Sequence, residues 1–272
     1  MTDPFLHCEQ LVREGDKDRF LATLFAPADR RGALFALYAF NLEIARIREV
    51  VHEPMPGEIR MRWWADVLEG KGQDTARGNP IAAALLDTIG AYRLPLDPLL
   101  DLIEARSFDL YDDPVMTLSE LNAYAQRTSS ALIGLAATIL GDVAPEVGQA
   151  AGIAYAVTSL LRAFALHSSR GQLYVPVEIL ERHSVAPADV FAGRVSEGLK
   201  AALADMQDHA RRKFDEFNAN RATLPRSVLP AFLPTQLVPL YLARMQRRDY
   251  APFLSVVEVP QWRRQWVMWR AS

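Results

Sequence analysis

Leu37, Phe40, Ile44, Ile47 and Val51 recur at steps of three and four residues, laying an apolar stripe along a helix from about residue 28 to 51. The same period runs through most of the chain, whereas alternation of apolar and polar residues in twos is weak everywhere. A chain patterned this way buries its stripes helix against helix. Pro54 and Pro56 end the first segment, and "RMRWWADVLEG" opens a second helix over about 57–69 that stops at Gly70. Further helical segments are predicted near 80–91, 96–108, 118–140, 146–167, 196–219 and 235–247, with "KGQDTARGNP" as the clearest surface loop. No repeat, low-complexity tract or linker divides the chain. The expectation is one all-α domain over residues 1–272, with the N-terminal ~15 and C-terminal ~20 residues peripheral.

At 272 residues the chain can bury a large core, and half of it is apolar. A net charge of −3 excludes both a disordered polyelectrolyte and a nucleic-acid binder recognised by charge. Cys8 is the sole cysteine, which leaves no internal disulfide and no cysteine zinc site; it is read as an incidental thiol. "MTDPFLHCEQ" shows no basic flank followed by an apolar run, so no signal peptide is expected. The longest apolar candidate for a membrane span, 227–243, is interrupted by Pro230, Pro234 and Pro239.

The segment most loaded with chemistry is "LLRAFALHSSRGQLYVP", residues 160–176, a helix that runs into an Arg-Gly turn, an aromatic residue and a proline. On its helix Ile153, Val157, Leu160 and Phe164 share one face, while Ser159, Ala163 and His167 stack on a neighbouring one beside Leu166. A magnesium-diphosphate site wants hard oxygen donors one helical turn apart. This face offers a methyl, an isobutyl group and an imidazole instead.

Three blocks, "FLATLFAPADRRGALFALYAF", "AYAQRTSSALIGLAATILG" and "LLRAFALHSSRGQLYVP", resemble the squalene/phytoene synthase family in order and spacing, over roughly residues 18–247. The resemblance implies a helical bundle of the isoprenoid-synthase type around a central cavity, where two aspartate-rich helices bind Mg²⁺ and ionise allylic diphosphates. Carried over by residue, the first aspartate-rich motif falls on Ala45, Arg46 and Glu49, and the second on Ala163, Leu166 and His167. Arg162, Arg170, Gly171, Tyr174 and Pro176 match the family, as do Tyr38 and Tyr124. "NAYAQRTSSAL", with Thr128, Ser129 and Ser130, the His167–Arg170 run, and "LPAFLPTQLVPLYLARMQRRDY" resemble a non-enzymatic branch of the family that includes a mitochondrial assembly factor of respiratory complex I.

Several features carry two readings. His167 is either a ligand-facing imidazole or a packed helix residue, and His52, His183 and His209 are read as structural or surface residues. Asp109, Asp112 and Asp113 in "FDLYDDP" are read as a solvated loop rather than a displaced metal site, because Pro114 ends the segment at once. Arg46 and Arg48 either grip a phosphate or headgroup, or Glu43, Arg46 and Glu49 pair along the helix surface at i, i+3 spacing. Trp262, Trp266 and Trp269 stand at i, i+4 and i+7 with Arg263, Arg264 and Arg270 around them. That stripe suits a membrane interface and also suits core packing. From residue 240 onward six arginines face Asp249 and Glu258, a net of +4 by that count, which tips the reading towards peripheral membrane contact.

The leading expectation is a family member without catalysis and without a metal or other cofactor. It would act in assembly or scaffolding, with respiratory-complex subunits or assembly proteins as partners and a pocket for a prenyl lipid or prenyl diphosphate. The pocket residues expected are Tyr38, Arg46, Arg48, Tyr124, Ser129, Arg162, His167, Arg170 and Tyr174. Its expected place is the cytoplasm or the inner face of the membrane, with no nucleic-acid partner. The rival is an active head-to-head prenyltransferase using Mg²⁺ or arginines to grip farnesyl or geranylgeranyl diphosphate. A third reading is a helical interaction protein with no cavity.

Overall fold

The computed structural model describes residues 3–51, 53–141 and 145–272, without the side chains of 73–75 and 145–147; His52 lies outside the described residues. Every regular element described is helical. Asp3 caps α1 (Pro4–Gly15) by accepting from the Phe5 amide, and Asp16 caps α2 (Lys17–Thr23) by accepting from Arg19. The long α3 (Ala28–Val50) follows, and its predicted stripe of Leu37, Phe40, Ile44 and Ile47 is buried. A proline in the first turn opens α4 (Pro54–Leu68). The stretch expected as a surface loop contains α5 (Gln73–Gly78), whose Ala76 is fully buried. Asn79 then caps α6 (Pro80–Tyr92) through its side chain, and α7 (Asp97–Ser107) begins Asp-Pro.

The helix expected over 118–140 is a single rod with a defect. Thr117 and Glu120 form a capping box at the start of α8 (Leu118–Ala125), a π-helical turn occupies Gln126–Ser130, and α9 (Ala131–Leu140) continues. The helix expected over 146–167 breaks at Ala163, giving α10 (Pro145–Arg162) and α11 (Phe164–Ser169). Gly171 takes a positive φ of 75° in the turn that follows, a conformation that explains the glycine of the Arg-Gly pair. Short α12 (Val177–Arg182) and α13 (Pro187–Phe191) lead to α14 (Glu197–Asn220), capped by Ser196. Pro230, Pro234 and Pro239 each sit in the first turn of a short helical piece: α15 (Leu229–Phe232), a 3₁₀ stretch (Leu233–Leu237) and α16 (Val238–Met245). The chain closes with α17 (Gln261–Ala271).

Two clusters form the core. One gathers α1, α3, α4, α6 and α9; the other gathers α2, α8, α10, α14, α16 and α17. Burial of a side chain such as Phe40 or Leu121, both fully enclosed, contributes about 1.5–3 kcal/mol. Each end of the chain, expected to be peripheral, places some residues in the core. Cys8 and Val12 are fully buried against α3 and α6, and Met268 and Ala271 are buried in the second cluster. Among the described residues no helix is long and apolar enough to cross a membrane.

Candidate functional site

Between α2, α3, α10 and α17 lies a cavity of about 500 Å³. Backbone i to i−4 bonds from Ala163 to Ser159 and from His167 to Ala163 carry the helical spacing across the break at Ala163. Ser159, Ala163 and His167 therefore all border the cavity, as that spacing predicts. Leu166 does not; its side chain turns outward and is 45 % exposed. From α3 only Asn41, Leu42 and Ala45 reach the cavity, and the π-turn delivers Thr128 and Ser129. A π-turn re-aims the side chains of a helix without ending it, which is why this stretch can both pack and line a site.

Partly buried Asp16 and buried Asp18 stand in the cavity wall and buried Asp109 stands behind it, each held by an arginine of this chain. Asp16 accepts from Arg19 at 2.6 Å, and the Arg19 guanidinium lies over the rings of Tyr38 and Tyr155, at 5.5 and 5.0 Å. Asp18 accepts from Arg264 at 2.8 Å, from the Tyr241 hydroxyl at 2.6 Å and from Arg162 at 3.4 Å. Arg162 also stacks 3.7 Å from the centroid of Tyr241. Asp109 accepts from Tyr174 at 2.7 Å, from Tyr124 at 2.9 Å and from Arg106 at 3.1 Å, and its carbonyl takes a bond from Gln172. Burial pushes the hydroxyls of Tyr124 and Tyr174 far above their ordinary range, so both are neutral donors to this carboxylate. His167 stacks on Tyr174 at 4.7 Å between ring centroids. Its pKa drops to about 4, mainly because burial disfavours the imidazolium, with Arg170 and Arg106 adding to the fall against the pull of Asp109.

Of the nine pocket residues expected from sequence, Tyr124, Ser129, Arg162 and His167 border the cavity. Tyr38 and Tyr174 stand one layer behind, against Arg19 and Asp109. Arg48 pairs with Asp112 at 3.1 Å and Arg170 with Glu49 at 3.5 Å, both outside the lining. Arg46 packs against Gly15 and makes no ion pair among the described residues, so the expected pairing with Glu43 and Glu49 does not form. The solvated-loop reading of "FDLYDDP" holds for exposed Asp113 and for Asp112, but fails for Asp109, which is 6 % exposed and the hub of a buried network. Its loop composition hides this, because the donors that hold it come from residues 106, 124 and 174. Asp16, Asp18, Arg19, Tyr155, Tyr241 and Arg264 were also missed. Tyr155 stands mid-chain in α10, whereas the others lie towards the two chain ends, and only the alternating charges of "GDKDRF" hint at Asp16, Asp18 and Arg19.

Of the histidines read as structural or surface residues, His183 and His209 are described. His183 pairs with Asp205 and His209 with Asn122, each at 2.8 Å, both away from the cavity. Cys8 is a core residue whose thiol is pushed up to about 12 by burial and by nearby Asp3. The Nε atoms of Arg106, Arg162 and Arg264, three residues of the cavity lining, are buried without a hydrogen-bond partner.

The chain resembles known proteins over nearly its whole length. It is 30 % identical over 260 residues to complex I assembly factor 6 of Rattus norvegicus, covering 93 % of this chain and 77 % of that protein. It is 25 % identical to the phytoene synthase of Arthrospira platensis, covering 97 % of this chain and 90 % of the synthase. Among solved structures, a dehydrosqualene synthase in complex with ligand superposes with a TM-score of 0.86 at 18 % identity, covering 98 % of this chain and 95 % of that one. A squalene synthase from Alicyclobacillus acidocaldarius superposes with a TM-score of 0.77 at 24 % identity, covering 92 % and 95 %. Both likenesses establish the helical fold. The squalene/phytoene synthase family model matches residues 12–270, so both chain ends that form the cavity wall fall inside it, and the chain belongs to the squalene/phytoene synthase family.

Proposed function

We propose that this protein is a non-catalytic member of its family that acts as an assembly or scaffolding factor of the respiratory complex I type, close to a membrane. The observation that carries the reading is the neutralisation of Asp16 and Asp18 in the cavity wall and of Asp109 behind it, which leaves exposed Glu14 and Glu258 as the lining carboxylates without an ion pair among the described residues. Asp16 and Asp18 are locked to Arg19, Arg162 and Arg264, and Asp109 is locked to Arg106. A divalent cation would have to displace a guanidinium from each.

The donor chemistry at the positions carried over from the family's metal motifs points the same way. Ala45 and Ala163 offer methyl groups to the cavity and His167 an uncharged imidazole, while Arg46, Glu49 and Leu166 lie outside its lining. Among the described residues no group of three or more His, Cys, Asp or Glu is arranged to hold a metal ion. These residues do not fit a magnesium cluster. Each ~1.36 kcal/mol of lost charge stabilisation slows ionisation tenfold, so a diphosphate left without its cation ionises slowly.

The rival reading, a prenyltransferase that grips diphosphate with arginines, is favoured by the partnerless Nε atoms of Arg106, Arg162 and Arg264 and by the likeness to phytoene synthase. Against it, three of the four arginines expected to do the gripping are spent on Asp18, Asp112 and Glu49. The cavity of about 500 Å³ is lined by charged and polar residues such as Asp18, Arg19, Asn41 and Arg162 as well as by apolar ones. Its neighbour around Phe164, Leu173 and Met206 is almost closed. The likeness to complex I assembly factor 6 supports partners among respiratory-complex subunits or their assembly proteins. Purified protein incubated with farnesyl or geranylgeranyl diphosphate and Mg²⁺ is expected to release no pyrophosphate above a blank. Turnover that a chelator abolishes overturns the proposal.

A further inference from the structure

The two sides of α17 carry different chemistry. At about 100° per residue, Trp262, Trp266 and Trp269 fall within roughly 60° of one another, and Arg264, Met268 and Ala271 fall on the opposite side. The second side faces the protein: Met268 and Ala271 are buried, and Arg264 donates to Asp18 at the cavity wall. The first faces outward, with the three indoles 65, 54 and 61 % exposed. Core packing, one of the two readings open in the sequence, is therefore excluded for the tryptophans. The space beside them is bordered only by residues of α17 itself, so the helix forms a projecting ridge and not one wall of a groove.

We propose that this ridge is a docking face for an anionic lipid surface. Charge complementarity selects that occupant. The helix holds Arg263, Arg264 and Arg270 and no acidic residue, in a chain whose net charge is −3. Arg264 is consumed by Asp18, whereas Arg263 and Arg270 are exposed on the flank of the indole stripe and make no ion pair among the described residues. Arg263 sits over the Trp262 ring at 5.5 Å, which holds a cation at the level of the indole. Indoles at headgroup depth with flanking guanidinium groups are the chemistry of an interfacial helix. The connection before α17 adds Leu254 and Val256, at 86 and 73 % the most exposed large apolar side chains among the described residues. Glu258, Val259 and Arg264 of the same segment border the cavity, so docking sets the cavity rim about one helix diameter, ~10 Å, behind the lipid surface. The face stands apart from the cavity's chemistry, since an active enzyme would carry the same helix.

Co-sedimentation of the full-length protein with vesicles tests this. Vesicles of phosphatidylcholine and phosphatidylglycerol are expected to pellet it at low salt, and pure phosphatidylcholine to pellet far less. Arg263→Gln with Arg270→Gln is expected to weaken partitioning about 30-fold, on the order of 1 kcal/mol per lost charge. Trp262→Ser with Trp266→Ser and Trp269→Ser is expected to abolish it while the helical circular dichroism is kept. Independent of any variant, brominated lipid is expected to quench the fluorescence of the wild-type protein. Absence of binding at low salt, equal binding to uncharged vesicles, or full binding by the tryptophan variant overturns the proposal. A concentration-dependent dimer that only the tryptophan variant loses, without vesicle binding, also overturns it and gives the face to a second copy.

Discussion

At the scale of single residues, the site is a set of buried charges that answer one another. Asp18 and Asp109 are each less than 10 % exposed and each meets one or more arginines and tyrosines. Such pairs are weak evidence for stability, because the cost of desolvation offsets most of the attraction. On the proposed reading their consequence is functional, because a divalent cation would have to compete with a guanidinium at each of them. The histidines show what the same burial does to a group without an opposing charge strong enough to hold its proton. His167 and His209 both fall to about 4, burial being the main cause in each, so both are neutral in the fold near neutrality. Their pKa values lie below that of an unfolded histidine, near 6.5, so the unfolded chain binds more protons between the two values. Stability from this source is complete above pH ~6.5 and is lost as pH falls towards ~4. Urea midpoints measured across that range are expected to fall with acid, and less steeply in His167→Gln with His209→Gln. Equal slopes would show that other groups carry the acid response. Sequence named His167 because it stands in a motif, but it read Asp109 as part of a solvated loop and passed over Asp18, since a buried aspartate is legible only once its donors have been brought to it.

At the scale of elements, what the sequence showed clearly is what repeats with the helical period. α3 and α14 lie within about a residue of their predicted ends, because a long apolar stripe and a capping or stopping residue agree there. α1, α2 and α17 were not read as helices, being short and charged; their burial comes from tertiary packing of a few residues such as Cys8, Leu21 and Met268. The π-turn in the 118–140 rod was also invisible, since its residues suit an ordinary helix. Its partner explains it. Gly152 of α10 runs against the backbone of Ser130, leaving no room for a Cβ, and the Ser130 hydroxyl donates to the Gln149 carbonyl at 3.1 Å. Gly152→Ala is expected to lower stability by about 1–3 kcal/mol through overpacking against backbone. Gly134→Ala, where an added Cβ meets open space, is expected to raise it by up to ~1 kcal/mol through helix propensity. Thermal or urea unfolding separates the two; similar shifts for both would show that the close approach at Gly152 is unimportant.

At the scale of the whole molecule, the chain is closed by its ends. Asp18 of α2 binds residues 144, 223 and 246 positions further on, so α2 and α17 meet at the cavity. The fold class was legible from periodicity and from the three blocks shared with the family, and the cavity's position between α3 and α11 followed from the same blocks. The part played by the termini was not legible, because it depends on contacts between residues more than two hundred positions apart. The result is a synthase scaffold whose inner carboxylates are answered from within the chain. The most direct test of that claim is to soak crystals with Mn²⁺ and a non-hydrolysable farnesyl thiodiphosphate and to map the anomalous signal of the metal. The account predicts no metal peak between α3 and α11 and unbroken pairs of Asp18 with Arg264 and Asp109 with Arg106. Manganese ions seated there and bridging to a bound diphosphate would contradict it.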